Sequence, residues 1–505
     1  METPMGLMPR IIHALALAGA ALATAGAVPG YFAAAESAAT SDAPAAGEIR
    51  ATLPPDRAKA LHDWTYSLAL QAATWGYPLV VMYNLRQNVA FGAKPKAPPN
   101  DLWRMSDITT PQLAQQARYV TPNVNTLYGF GFLDLGPEPV ILSLPDSKGL
   151  YYMVEVVDMW TNAFAYPAGT AAGYKGGVYA LTAPGWGGQL PAGVQRIEAP
   201  TRWIMIQPRV HVQSQGDLVE AQAVLGSIAA RPLSAWLDRP APAAPPYDYP
   251  VPDLTDDTQS ASVLNYRDPL QFWDLLSLAM NENMPPRDQA AALLPQFAPL
   301  GLELGAKWDR ARVNPIIRDA MAEAARDVAP LLAVLPVGQF VNGWVLPPPS
   351  IGDFGVDYKV RAITARVGLT ANTPQEAIYI YGLADAEGKL LDGAKRYDLT
   401  LQQTPPFNEP GFWSLTMYDA QNNYTVPNPI NRYSLGSDNA LKHNADGSVT
   451  IAIQADQPAG APENWLPAPK GAFYLILRSY SPGKAMIDAL SDARAFPLPP
   501  VHEAP

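Results

Sequence analysis

Three carboxylates stand where short apolar strands run out or turn. Glu155 and Asp158 lie in Met153-Val154-Glu155-Val156-Val157-Asp158, and Asp419 follows Trp413-Ser414-Leu415-Thr416-Met417-Tyr418. A carboxyl group in such a place can give or take a proton. Arg209 and Arg432 also fall beside strand ends, where a guanidinium can hold a carboxylate or phosphate through paired N–H donors and stabilise developing negative charge. Asp158 and Arg209 form the candidate catalytic pair. Asn123, Asn125 and Asn162 add amide groups, Tyr128 a phenol, and Trp160 and Trp413 flat faces for stacking; with Asp419 and Arg432 they make the candidate ligand-binding set. Polar groups gathered at strand ends are how a sandwich or barrel builds a ligand mouth. The same residue types also pin turns, and an arginine can pair with Asp158 or Asp419 merely to clamp loops. The expected arrangement puts Asp158 and Arg209 together at one mouth of the first β-domain, beside Asn123, Asn125 and Asn162.

Much other chemistry is excluded or disfavoured. The chain has no cysteine, so it has no disulfide, thiolate metal site or cysteine nucleophile. Its five histidines include His62, His211, His443 and His502 beyond the first 27 residues, and none has a ligand-spaced partner. There is no Gly-x-Ser-x-Gly, P-loop, Gly-x-Gly-x-x-Gly or His-Glu-x-x-His. No cofactor and no zinc are expected, while a carboxylate-bound Mg²⁺ or Ca²⁺ stays open. A net charge of −11 without a basic cluster argues against nucleic acid and anionic membrane surfaces.

The start of the chain predicts export. Arg10 precedes an apolar run from Ile11 to Val28, with small-x-small sites at Ala25-Gly26-Ala27 and Ala33-Ala34-Ala35. These are the parts of a secretory signal. Residues 1–27 are read as a signal peptide and 28–50 as a disordered leader, and the mature protein is expected in the periplasm or secreted. No later segment has the length and apolarity of a membrane span.

Three further stretches must position the candidate residues. Residues 51–230 read as an N-terminal domain, helices followed by a β-sandwich. Within it Gly76-Tyr77-Pro78 is expected to break the helical pattern of 57–92, and short strands from Thr126 to Val212 carry period-2 patterning. Residues 231–357 read as a proline-rich linker and a helical region, with helices near 268–281, 287–296 and 315–334 and a loop over 337–357. Residues 358–505 return to strands. The fold class is thus multi-domain α and β, antiparallel β-sandwich or jelly-roll-like domains with a helical region.

Two stretches resemble known families. Thr121-Pro122-Asn123-Val124-Asn125-Thr126-Leu127-Tyr128, then Tyr151-Tyr152 followed by Asp158-Met159-Trp160-Thr161-Asn162, then Gly185-Trp186 with Leu190-Pro191-Ala192-Gly193, resemble the bacterial domain of unknown function 1254. Pro405-Pro406-Phe407, Phe412 to Asp419, and Asn428-Pro429-Ile430-Asn431-Arg432-Tyr433-Ser434-Leu435-Gly436 resemble its usual partner, domain of unknown function 1214. The resemblance implies two antiparallel sandwiches, the second jelly-roll-like, joined by helices, and it supplies no reaction. The family often has Asp where this chain has Asn125. Two readings follow: binding of a small-molecule or glycan-like ligand in a cleft of the β-domains, or a periplasmic hydrolase using Asp158, Glu155 and Asp419 with Arg209 and Arg432 as anion stabilisers.

Overall fold

The computed structural model describes residues 53–117, 121–243, 245–255 and 263–505. The signal-peptide and leader expectations, with their small-x-small sites, lie outside the described residues. No described helix is long and apolar enough to cross a membrane.

The helical region draws on three parts of the chain. The Pro55–Arg86 helix packs on the helices Gln271–Glu282, Pro315–Val334 and Tyr358–Val367. It does not break at Pro78, as the Gly-Tyr-Pro run predicted, but continues to Arg86 and a π-helical turn, Gln87–Phe91. Proline removes one helical hydrogen bond and crowds the preceding turn. Here every residue from Ala72 to Asn84 is buried, and burial of that length of apolar chain outweighs the local defect. Gly76 lies at the crossing with Gln271–Glu282: a Cβ there would come within 2.5 Å of a Leu276 methyl. Gly76→Ala is therefore expected to lower stability by about 1–2 kcal/mol, overpacking exceeding the helix-propensity gain. Thermal unfolding monitored by circular dichroism measures it.

The first sandwich contains two sheets. One has the order β1-β2-β8-β4-β5, formed by Trp103–Arg104, Thr126–Asp134, Trp203–His211, Tyr152–Asp158 and Ala163–Ala168. The other has the order β7-β6-β3-β9, formed by Gln195–Glu198, Gly177–Thr182, Val140–Leu144 and Ala229–Pro232. Leu127, Leu142, Val154, Val156, Ile204, Ile206 and Val210 fill the space between them.

The second sandwich pairs a six-stranded sheet with a four-stranded one. The larger has the order β10-β11-β12-β18-β14-β15: Gln339–Val341, Trp344–Leu346, Ala377–Gly382, Phe473–Pro482, Phe407–Asp419 and Ser434–Gly436. The smaller has the order β17-β16-β13-β19: Trp465–Pro467, Val449–Gln454, Arg396–Leu401 and Val501–Ala504. Ile378, Ile380, Trp413, Leu415, Leu475 and Leu477 meet Leu399, Ile451 and Val501 between them. The fold class is the mixed, multi-domain one expected from the patterning. Two details differ. The stretch 337–357, expected as loop, contains the β10–β11 hairpin, which is seated on β12; its Phe340 and Trp344 patterning is too short to outweigh the flanking prolines. The β6–β7 and β16–β17 pairs are parallel.

The register decides what faces what. Side chains alternate across a strand, and directly paired antiparallel residues share a face. On β8, Ile204, Ile206 and Val210 enter the first sandwich core, so Gln207, Arg209 and His211 point to the other face, with Tyr128 of β2 and Met153 and Glu155 of β4. On β18, Leu475 and Leu477 enter the second core, so Tyr474, Ile476, Arg478 and Tyr480 point away from it, beside Ser414 and Tyr418 of β14 and Tyr379 of β12. These two outer faces meet. Tyr151, Met153, Ala377, Phe412 and Tyr480 form one buried cluster across the junction.

Candidate functional site

Asp158 and Arg209 are not neighbours. Asp158 pairs with Ile204 and Arg209 with Met153 on the same β4–β8 ladder. Five residues separate the two positions, roughly 17 Å at strand spacing, and the odd offset puts them on opposite faces. The expected common mouth is thereby corrected: strand ends that look adjacent in sequence patterning belong to opposite ends of this ladder.

Asp158 closes a turn. Its Oδ1 accepts the backbone N–H of Trp160 at 2.8 Å and of Asn162 at 2.9 Å, and its Oδ2 accepts the Asn162 Nδ2 at 2.8 Å. Asn162 Oδ1 in turn accepts from Arg361 Nη2 at 3.1 Å. Burial raises the Asp158 pKa against these hydrogen bonds. Trp160 tilts against Trp75 with ring centroids 4.8 Å apart and donates to the Asn283 carbonyl, inside the helical core. Trp413 is in the core of the second sandwich. Asp419 caps its own turn through Gln421 and Asn422, and Arg432 holds the Pro462 and Trp465 carbonyls. These residues pin loops and fill cores, and none of them lies on the two faces that meet.

Glu155, Arg209, Tyr128, Asn123 and Asn125 do come together, in the layer between the sandwiches. Arg209 Nη2 stands 3.4 Å from Glu155 Oε2, and its Nη1 donates to the Tyr379 hydroxyl at 3.2 Å. The guanidinium carbon sits 5.5 Å from the Tyr128 ring centre. Asn123 Nδ2 donates to Tyr480 Oη at 2.8 Å, and its backbone N–H to Tyr128 Oη at 3.3 Å. Asn125 donates to Asp438 at 3.1 Å, beside His211, whose Nε2 is 2.9 Å from the same oxygen. An aspartate at position 125 would set two carboxylates against each other, so Asn suits this chain. The Thr121–Asn125 turn thus clamps the two domains: Arg478 donates to the Thr121 carbonyl at 2.9 Å and Tyr418 to that of Pro122.

The layer is buried and incompletely hydrogen-bonded. Neither carboxylate oxygen of Glu155 has a hydrogen-bond partner, nor have Arg209 Nε, Gln207 Oε1, Ser414 Oγ or Arg478 Nη1. Unpaired buried polar atoms are uncommon and costly. Burial pushes the Glu155 pKa up to about 7; Arg209 pulls it down and Glu376 pushes it further up. Glu376 itself is raised by burial while accepting hydrogen bonds from Tyr151 at 2.6 Å and the Thr170 N–H at 2.8 Å. Burial also lifts Tyr379 to about 12, against the pull of Arg209. Among the described residues no group of three or more His, Asp or Glu side chains gathers as a metal would need.

A model described as protein of unknown function (DUF1254) matches residues 99–232, and one described as protein of unknown function (DUF1214) matches residues 376–484. The two matches stand in the order of the two-domain family that the sequence resembles. The first matched region contributes Glu155, Gln207 and Arg209 to the layer, and the second Tyr379, Ser414, Arg478 and Tyr480, so the layer lies between the two matched regions. The chain is similar to the VPA0106 protein from Vibrio parahaemolyticus, with 22% identity over 87% of this chain and 100% of that one and a TM-score of 0.68, which supports the fold. An uncharacterized protein from Burkholderia cenocepacia aligns over 88% of this chain and 96% of its own at 11% identity, with a TM-score of 0.36. No curated protein matches.

Sequence reasoning did not single out Gln207, Tyr379, Ser414, Arg478 or Tyr480. The signal was present in 473–482. Tyr474, Arg478 and Tyr480 alternate with Phe473, Leu475 and Leu477 on a strand that proves to be buried on both faces. A central strand with one apolar and one Tyr/Arg face must be covered by something polar.

Proposed function

We propose that this protein binds a small organic molecule, of the small-molecule or glycan-like class, in the layer between its two sandwiches, and does so as an exported protein, periplasmic or secreted. One observation carries the reading: six polar atoms on Glu155, Gln207, Arg209, Ser414 and Arg478, all on buried side chains, have no hydrogen-bond partner. A ligand with donors and acceptors satisfies such groups, and rings such as Tyr128, Tyr379 and Tyr480 supply faces for its apolar parts. The export signal read at the N-terminus supports the location.

Thermal-shift screening of the mature protein against organic acids, alcohols and oligosaccharides tests the reading, together with native mass spectrometry of freshly purified material. Hits are expected to weaken in Tyr379→Phe and to persist in Asp419→Asn, whose carboxylate only closes a turn. If no compound shifts the melting temperature and no small mass co-purifies, the reading fails. Acid–base chemistry is the second reading, favoured by the Glu155 pKa near 7, which suits a general acid or base at neutral pH. Turnover on an ester, amide, phosphate or glycoside panel that drops about 100-fold or more in Glu155→Gln supports it.

A further inference from the structure

Among the described residues four arginines are buried: Arg86, Arg209, Arg361 and Arg478. Three of them face acids. Arg86 meets Glu282 at 2.7 Å and Arg209 meets Glu155 at 3.4 Å. Arg361 is held beside Asp158, Asp353 and Asp288. Arg478 differs. Its Nη2 donates to the Thr121 carbonyl, its Nη1 has no partner, and the groups that act on its charge are Tyr418, Tyr480, Tyr128 and Tyr379. Its guanidinium carbon is 5.4 Å from the Tyr418 ring centre and 5.9 Å from that of Tyr379. Ring faces attract a cation, but they do not neutralise it. A guanidinium stays protonated at every relevant pH, and a buried charge without a counter-ion is strongly unfavourable.

The neighbouring donors point the same way. Ser414 is the cross-strand partner of Arg478, and its hydroxyl has no partner. Tyr379 is the partner of Arg478 on the other side and also binds Arg209, whose Nε has no partner. Arg209 and Arg478 therefore flank Tyr379, with unused N–H groups on both. Glu155 and Glu376 both act on Arg209, whereas the groups that act on Arg478 include no carboxylate, so Arg478 is the charge left without a counter-ion.

Resting on the proposed ligand-binding role, we infer that the ligand is a monoanionic organic acid, its carboxylate held by Arg478, Ser414 and Arg209 and its body against the tyrosine rings of the layer. A carboxylate accepts paired N–H bonds from a guanidinium in a fixed plane, and one negative charge supplies the counter-ion that Arg478 lacks. The bound anion also opposes ionisation of Glu155. The groups that face Glu155 are Arg209 from β8, Tyr166 from β5, Tyr379 from β12 and Glu376 at the start of β12. Only Arg209 among them carries a fixed positive charge, so placing an anion beside it favours the protonated acid, and binding takes up protons near neutral pH.

The test uses the whole mature protein and isothermal titration calorimetry. Probes are monocarboxylates of graded size, from acetate to benzoate and phenylacetate, each set against its amide and alcohol. Carboxylates are expected to bind better than their amides, more tightly at pH 6 than at pH 8, and with net proton uptake in buffers of different ionisation enthalpy. Arg478→Gln should weaken carboxylate binding by about tenfold or more, the worth of a charge-assisted hydrogen bond, and Arg478→Lys should weaken it less. If Arg478→Gln does not fold, the acid-against-amide comparison on the parent and Arg478→Lys decide. Equal binding of acids and amides overturns the inference and leaves the ligand-binding reading standing. Binding of neither class, with no co-purifying mass, removes both.

Discussion

At pH 8 the Glu155→Gln variant is expected to be more stable than the parent by about 3 kcal/mol, and at about pH 4 the two are expected to unfold alike. The cause is the buried carboxyl. In the unfolded chain Glu155 loses its proton near its ordinary 4.5, and in the folded protein only near 7. Between those values the folded state holds the extra proton, so the parent loses stability as pH rises through the window, and the loss is complete above 7. Glutamine resembles the protonated acid and does not titrate, so the variant escapes that loss. Glu376 is also raised by burial, but it contributes its own slope to both proteins and leaves the difference to Glu155. Urea unfolding from about pH 4 to about pH 8.5 measures the two curves. Parallel curves would mean that Glu155 is ionised normally and that the layer is wetter than its burial indicates. A buried acid kept at a stability cost is what a functional site retains.

Asp158→Asn is expected to destabilise the protein by about 1–3 kcal/mol at neutral pH, as leaving a buried donor unsatisfied does, and to leave ligand binding by the folded protein unchanged. The Asn side chain can still accept the N–H groups of Trp160 and Asn162 with its oxygen. Its amide nitrogen would then face Asn162 Nδ2, donor against donor. Asn162 cannot turn over to relieve this, because its Oδ1 is engaged by Arg361. Arg361 is 1% exposed and would lose the first of its nearby acids. Thermal melting and titration on the same preparation separate stability from binding. A variant that melts like the parent yet no longer binds would place the working site at this turn after all.

Part of the layer was legible because it rests on local rules. Period-2 runs such as Leu475 and Leu477 against Arg478 and Tyr480 identify strands and their apolar faces. The Thr121–Tyr128 run marked a polar turn ahead of a strand, and it does shape the layer. Glu155 and Arg209 were recognisable as charged residues within strands that have too few polar neighbours in sequence to be surface strands. Their mutual pairing was not. Arg209 had two plausible acids, Asp158 and Asp419, and its partner is instead Glu155, one strand away and two positions along, fixed only by the β4–β8 register.

By itself, then, the sequence determined the chemistry available and the kind of elements that carry it: no thiol, no paired histidines, an acidic chain, two strand-rich blocks and helices between them. These follow from composition and from side-chain period, which are properties of neighbouring residues. Which polar groups meet was decided by tertiary structure alone. The helix through Pro78 held because burial from Ala72 to Asn84 outweighed a local defect. Asp158 became a turn cap because its strand ends against the helical core, where Trp160 fills space beside Trp75. Arg209, Glu155, Tyr379 and Arg478 became one site because two sheets, each apolar on its inner face, press their polar outer faces together. The distance between residues 155 and 478 along the chain carries no record of that contact, which depends on the register of both sheets and on the angle at which the sandwiches dock.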